Sequence, residues 1–259
     1  ILAGLLGAII WNLSTWWWGL PTSSSHALIG GLAGAGIAYK GFAVINMKKI
    51  SQTIEYIPLA PLFGLLAGFI LMIAVYWIFR KWKPADVDKL FRKGQLVSAA
   101  LYSIGHGGND AQKTMGVIVA VLVAAGMFDP NGQLSLSNWN TSWIIISCNL
   151  AMAIGTAMGG WRIVKTMGMK LTKLKPVHGF CAETAGAATL FMVTYLGIPI
   201  STTHTIAGSI IGVGSTTNAS GIKWTLAFRI MMSWVVTIPL SALMAAISFY
   251  IINYLHFHI

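Results

Sequence analysis

Apolar residues fill most of the chain in long runs, broken by a few short polar stretches. A helix that crosses the hydrocarbon core of a bilayer needs about 20 mainly apolar residues. The runs at 1–19, 57–79, 142–160, 178–197 and 224–253 meet or approach that length. Residues 26–39 and 204–214 are shorter and rich in glycine. Residues 94–126 are too long for one straight span and carry a polar interruption at 105–113, where an unwound stretch is expected.

The connections predict sidedness. Residues 80–93 hold six Lys or Arg against two Asp, and 161–177 hold five with no acid. Both read as cytoplasmic, because basic residues collect on that side. The loop 127–141 has no Lys or Arg and reads as external. The loop at 40–56 runs against this pattern, with Lys40, Lys48 and Lys49 against Glu55.

Composition narrows the class. Of 259 residues 56% are hydrophobic and only 9% charged. Disordered chains need low hydrophobicity and high charge, and soluble domains carry about 25% charged residues. Both are excluded, and the bilayer is the natural solvent. The net charge of +11 reports loop topology rather than nucleic-acid binding. Cys148 and Cys181 lie in apolar runs and imply neither a metal site nor a disulfide framework. The first residues, Ile1 to Gly7, resemble the middle of an apolar segment rather than a signal peptide. The chain is therefore expected to be the C-terminal part of a longer protein.

An internal repeat organises it. Residues 21–36 read PTSSSHALIGGLAGAG and residues 199–214 read PISTTHTIAGSIIGVG. At a constant offset of 178, Pro21, Ser23, His26, Gly30, Gly34 and Gly36 match Pro199, Ser201, His204, Gly208, Gly212 and Gly214. If each of the five segments between the copies crosses once, the copies have opposite orientation. Inverted repeats are the architecture of many secondary transporters. The fold expected is all-α: a polytopic transmembrane bundle with inverted-topology repeats and broken or re-entrant helices. Residues 1–79 would be the remainder of the first repeat, 80–93 a short basic cytoplasmic linker and 94–259 the second repeat.

Three features carry candidate chemistry. Each repeat copy breaks an apolar run with proline and then hydroxyl residues: Ser23, Ser24 and Ser25 in one, Ser201, Thr202 and Thr203 in the other. Proline starts helices and Ser or Thr cap them. Each copy thus reads as a helix N-terminus inside the membrane, whose free N–H groups suit an oxyanion. Plain helix packing is the competing reading. His26 and His204 would orient the breaks by hydrogen bonding. The second feature, Gly105 to Lys113, includes His106, Asn109, Asp110, Gln112 and Lys113. A carboxylate in the bilayer is costly and pairs or lines a pathway. Asp110 and Lys113, three residues apart, form a structural pair on the competing reading. The third is Glu183 among small residues. No acidic orienter or GxSxG pattern accompanies the Ser–His neighbours, which argues against a membrane-embedded hydrolase.

These motifs resemble those of the PiT family of inorganic phosphate transporters. Gly105–Lys113 is similar to that family's HGxNDAQK-like motif, and Pro199–His204 to its P[SV]S[ST][ST]H-like motif. Trp161–Gly168, Lys173–Pro176 and Gly179–Glu183 resemble its second half. The HGGNDAQK form looks bacterial, which implies the cytoplasmic (inner) membrane. The family's first copy carries its own ND motif upstream of Pro21, which this chain does not contain. The resemblance implies symport of phosphate, free or as a metal–phosphate complex, with H+ or Na+ by alternating access, and no cofactor. By motif, Ser23, Ser24, Ser25, Ser201, Thr202 and Thr203 would contact phosphate. Asn109, Asp110 and Glu183 would serve the coupling ion or substrate, with Na+ at Asn109 and Asp110 as one reading. His26, His204, His106, Gln112 and Lys113 would support them. A homo-oligomer is compatible with this reading. The rival in the same fold is a permease for another oxyanion such as sulfate.

Overall fold

The computed structural model describes residues 1–198 and 200–258. Pro199, part of the repeat, lies outside the described residues. The helices are α1 (Leu2–Trp18), α2 (Ser24–Lys40), α3 (Met47–Phe79), α4 (Pro84–Ala124), α5 (Trp139–Ala157), α6 (Trp161–Lys165), α7 (Pro176–Tyr195), α8 (Thr202–Asn218) and α9 (Trp224–His258). A π-helical stretch, Thr166–Leu171, follows α6.

The repeat is built to the residue. Helices α2 and α8 are both 17 residues long and start at matched positions. Ser23 caps α2 by accepting a hydrogen bond from the His26 N–H at 3.2 Å. Ser201 caps α8 in the same way, from the His204 N–H at 3.3 Å. The helices before them end alike. Gly19 and Gly197 are left-handed, with φ of 68° and 66°. Leu20 N–H bonds the Thr15 carbonyl and Ile198 N–H bonds the Val193 carbonyl, both at 2.9 Å. A bond of that span beside a left-handed glycine is a Schellman turn. Gly19 and Gly197 stand at the same offset of 178, so the repeat reaches upstream of the two prolines.

Each copy is therefore a helical hairpin, α1–α2 and α7–α8. The arms run antiparallel: Ala3 and Ala35 share one apolar cluster, and Thr217 lies 3.5 Å from His178. Residues 26–39, 178–197 and 204–214 thus lie in hairpin arms. Helices α3 and α9 are long and apolar enough to cross a membrane, with mean hydropathies of 2.4 and 2.2. The bent pair of α5 with Trp161–Leu171 is a third candidate, kinked by 58°. Their outward residues, Ile70, Trp77, Ile78, Ile247 and Tyr250 among them, are exposed, as a lipid-facing surface requires.

The second arms exchange partners. Helix α2 packs on α9, and α8 packs on α3. Small residues allow the close approach. A Cβ on Gly30 would strike Ser241 and Ile238, and one on Gly208 would strike the Pro61 carbonyl. Pro61 and Pro239 again stand 178 apart, each inside its long helix. A proline there removes one N–H and frees the carbonyl four residues earlier.

Helix α4 departs from expectation. It runs unbroken for 41 residues through 105–113, so the unwound stretch and its free carbonyls are absent. Side chains satisfy the polar segment instead, pairing one helical turn apart. The basic linker is also largely helical. Pro84 opens α4 at its first turn, where its missing N–H costs nothing, and Asp86 complements the dipole.

Candidate functional site

The hairpin tips meet. The His26 and His204 rings are 4.8 Å apart, edge to face. The His204 ring stacks on Trp234 at 4.0 Å, and Trp234 Nε1 donates to the Pro21 carbonyl at 3.1 Å. Both rings are buried. They lock one tip against the other by ring packing and not by the expected ring hydrogen bonds, since His26 Nδ1 and both His204 ring nitrogens are buried with no partner among the described residues. The backbone N–H of each residue closes its own cap.

Helix α4 lies across this junction and presents four polar side chains to it, His106, Asn109, Asp110 and Lys113. Lys113 Nζ donates to Ser25 Oγ at 2.7 Å, to Asp110 Oδ1 at 3.0 Å and to the Ile200 carbonyl at 3.1 Å. Asp110 Oδ2 accepts from Thr202 Oγ1 at 3.3 Å and sits 3.1 Å from His106 Nε2. One ion pair thus ties both capped N-termini to α4. Such a pair inside an apolar bundle holds only when its remaining lone pairs and protons are also bonded, and here they are. Asn109 donates to Thr194 Oγ1 at 3.1 Å. Its side-chain carbonyl oxygen is buried with no partner among the described residues. That acceptor is open to a cation or a donor.

Two cavities flank the pair and share Lys113. One, of about 190 Å³, is lined by Asn12, Ser24, Ser25, Asp110 and Lys113, with apolar residues of α1. The other, of about 230 Å³, is lined by Asn109, Gln112, Lys113, Thr194 and Gly197. A small anion in the first would meet an ammonium, hydroxyls and the positive end of the α2 dipole. The second abuts the C-terminal end of α7 and offers the anion only Lys113, amide side chains and one hydroxyl.

The expected site residues divide accordingly. Ser25, Thr202, His106, Asn109, Asp110 and Lys113 come together. Ser24 faces the first cavity and Gln112 the second. Ser23 and Ser201 spend their hydroxyls on capping. Thr203 is half-buried beside the tip. Glu183 is elsewhere: Ser98 Oγ donates to it at 2.6 Å and Gln95 Nε2 at 3.4 Å. Ser98 is twelve residues from Asp110 on α4, which is about 18 Å along the axis. Sequence reasoning missed Asn12, Thr194 and Trp234. The signal for Asn12 was a lone amide inside an apolar run. Thr194 and Trp234 are ordinary membrane-helix residues and gave none.

Capped helix tips meeting around a buried ion pair, in an apolar helical bundle, define a polytopic membrane transport protein. The profile described as "Phosphate transporter family" matches residues 1–87 and 80–245. The chain belongs to that family, and it is an integral membrane protein. It is 50% identical to a "probable low-affinity inorganic phosphate transporter" of Rhizobium meliloti, over 96% of this chain and 73% of that one. A Bacillus subtilis protein of the same description is 45% identical over 98% of this chain and 74% of its own. The solved structure described as "The sodium-dependent phosphate transporter" matches with a TM-score of 0.81 at 20% identity, covering 98% of this chain and 79% of that one. The relatives are named as transporters, and the chain is not read as an enzyme.

Proposed function

We propose that the chain forms part of a secondary symporter that carries inorganic phosphate across the cytoplasmic membrane. The observation that carries the reading is the Asp110–Lys113 pair, bonded to both hairpin tips at once. Lys113 stands where a coupling cation would neutralise Asp110. A Na+ or H+ arriving there releases the ammonium to an entering phosphate, which Ser24, Ser25, Thr202 and Thr203 complete. Asn109 supplies a further oxygen to the cation. Ser23 and Ser201 act through the caps that aim the two N-termini. The offset repeat and exchanged arms support two inverted halves, residues 1–79 and 94–259, that rock against each other and alternate access. The family and the named relatives support phosphate over sulfate.

The test is uptake of labelled phosphate into liposomes holding the full-length protein. Either a Na+ or an H+ gradient imposed alone should drive accumulation, and the other should not. Sulfate should leave uptake unchanged. Accumulation that needs neither gradient would overturn symport.

A further inference from the structure

The two basic loops converge far from the hairpin tips. A cavity of about 340 Å³ opens between the π-helical stretch, the start of α7 and the end of α8. It is lined by Lys170, Lys173 and Lys223 together with Thr172, Asn218 and the His178–Thr217 pair, with no acid among its described lining residues. The three lysines are exposed. A second cavity of about 280 Å³ adjoins it and shares His178 and Thr217. Its walls are Val75, Phe79, Trp82 and Val87, with Arg80 and Lys175 at hand. The acid that lines it, Asp88, is paired with Arg92 at 2.9 Å.

The wall between them is polar and fixed. Lys175 N–H donates to His178 Nδ1 at 3.2 Å, which leaves the ring proton on Nε2. Nε2 faces Tyr76 OH at 3.4 Å and Thr217 Oγ1 at 3.5 Å. A lysine-lined chamber thus stands beside an aromatic and aliphatic one. Thr217 is fifteen residues from Thr202 on α8, about 22 Å along the axis. The place is distinct from the hairpin-tip site.

We propose that this paired cavity binds an anionic phospholipid of the cytoplasmic leaflet. The phosphodiester headgroup lies among Lys170, Lys173 and Lys223. The upper acyl chain lies against Phe79, Trp82 and Val87. Charge complementarity selects the head, since basic pockets between membrane helices on the cytoplasmic side take anionic lipid headgroups. The adjoining apolar chamber selects lipid over free phosphate, which has nothing to bury there. Bound lipid would pin the base of the α7–α8 hairpin to α3 through His178 and Tyr76.

The experiment is native mass spectrometry of the full-length protein released from detergent, with phosphatidylglycerol, phosphatidylcholine or inorganic phosphate added. It needs no transport activity, so its outcome is separate from that of the symport reading. Phosphatidylglycerol should be retained more than about tenfold over phosphatidylcholine, as expected where several lysines each add attraction. The triple variant Lys170→Ala/Lys173→Ala/Lys223→Ala should lose that preference while keeping the wild-type Tm. Trp82→Ala should weaken retention of phosphatidylglycerol. Equal retention of the two lipids, or full retention by the triple variant, would overturn the site. Displacement of phosphatidylglycerol by excess inorganic phosphate would overturn lipid as its occupant.

Discussion

Lys113 Nζ lies 2.7 Å from Ser25 Oγ, which joins the C-terminal third of α4 to the second residue of α2. The same ammonium holds Asp110 and the carbonyl before the other tip. One side chain therefore senses both hairpins. Its positive charge stands where an anion would want it, yet it is fully engaged with protein acceptors. An anion can recruit it only if something else takes over Asp110, which makes cation entry and anion entry interdependent.

Asp110→Asn tests that dependence directly. The amide keeps the shape but cannot balance Lys113 or an incoming cation. Gradient-driven phosphate uptake by the full-length protein should fall by at least about tenfold, in line with an ionisable residue on a membrane pathway. Removing one member of a buried pair also costs about 3 kcal/mol of stability. Uptake at the wild-type rate, with an unchanged Tm, would sink the coupling role.

The pair itself can be separated from transport by a double variant. Lys113→Gln alone leaves Asp110 uncompensated and should destabilise the protein to a similar degree. Asp110→Asn/Lys113→Gln removes both charges, and the two effects should fail to add by about 1–3 kcal/mol. Thermal unfolding in detergent reads the stability. Uptake should stay lost in the double variant even where the Tm returns. Recovery of uptake along with the Tm would make the pair purely structural.

The serines beside it divide by role. Ser23 caps α2 with its side chain, so Ser23→Ala should cost about 1 kcal/mol of stability. Ser23→Thr, a cap that adds no charge at this buried position, should keep most of it. Ser24 faces the cavity and is exposed. Ser24→Ala should leave the Tm in place and raise the apparent KM for phosphate. An unchanged KM would remove Ser24 from the substrate contacts.

Glycines give a packing test within one protein. A Cβ on Gly208 would run into the Pro61 backbone, and backbone cannot swing aside. Gly208→Ala should therefore cost well over about 1 kcal/mol, as overpacking does. Gly116, inside α4, faces open space, and Gly116→Ala should gain about 0.5–1 kcal/mol from helix propensity. Equal effects on thermal unfolding would contradict the exchanged packing of α8 on α3.

Much of this was legible before the fold. The constant offset of Ser23 with Ser201 and His26 with His204 marked two equivalent caps, because a cap is a local device set by a few neighbouring residues. Gly19 and Gly197 could have extended it, since both sit two residues before the prolines. The run at 105–113 misled for a physical reason. Polar residues in an apolar segment suggest a break, yet His106, Asp110 and Lys113 sit one turn apart and satisfy one another across a continuous helix. The exchange of α2 onto α9 and α8 onto α3 is tertiary, and glycine spacing alone names no partner.

Glu183 is where geometry and motif part most clearly. The motif groups it with Asn109 and Asp110, but it is bonded to Ser98 and Gln95 about 18 Å down α4. Beside it, Thr184 Oγ1 is buried with no partner among the described residues. The Glu183 carboxylate with the Ser98 hydroxyl and the Gln95 amide is a second polar cluster, and the question is whether it holds the cation on its own. If it does, Glu183→Gln should weaken the dependence of uptake on the driving cation while the apparent KM for phosphate stays within about twofold, since only uniform binding of the cation is lost. If Glu183 instead belongs to the phosphate site, the KM for phosphate should rise together with that of the Ser24→Ala variant. Measuring phosphate and cation dependence on the same Glu183→Gln preparation decides between them. A variant with both unchanged would leave Glu183 as a strut between α4 and α7, its role limited to the hydrogen bond with Ser98.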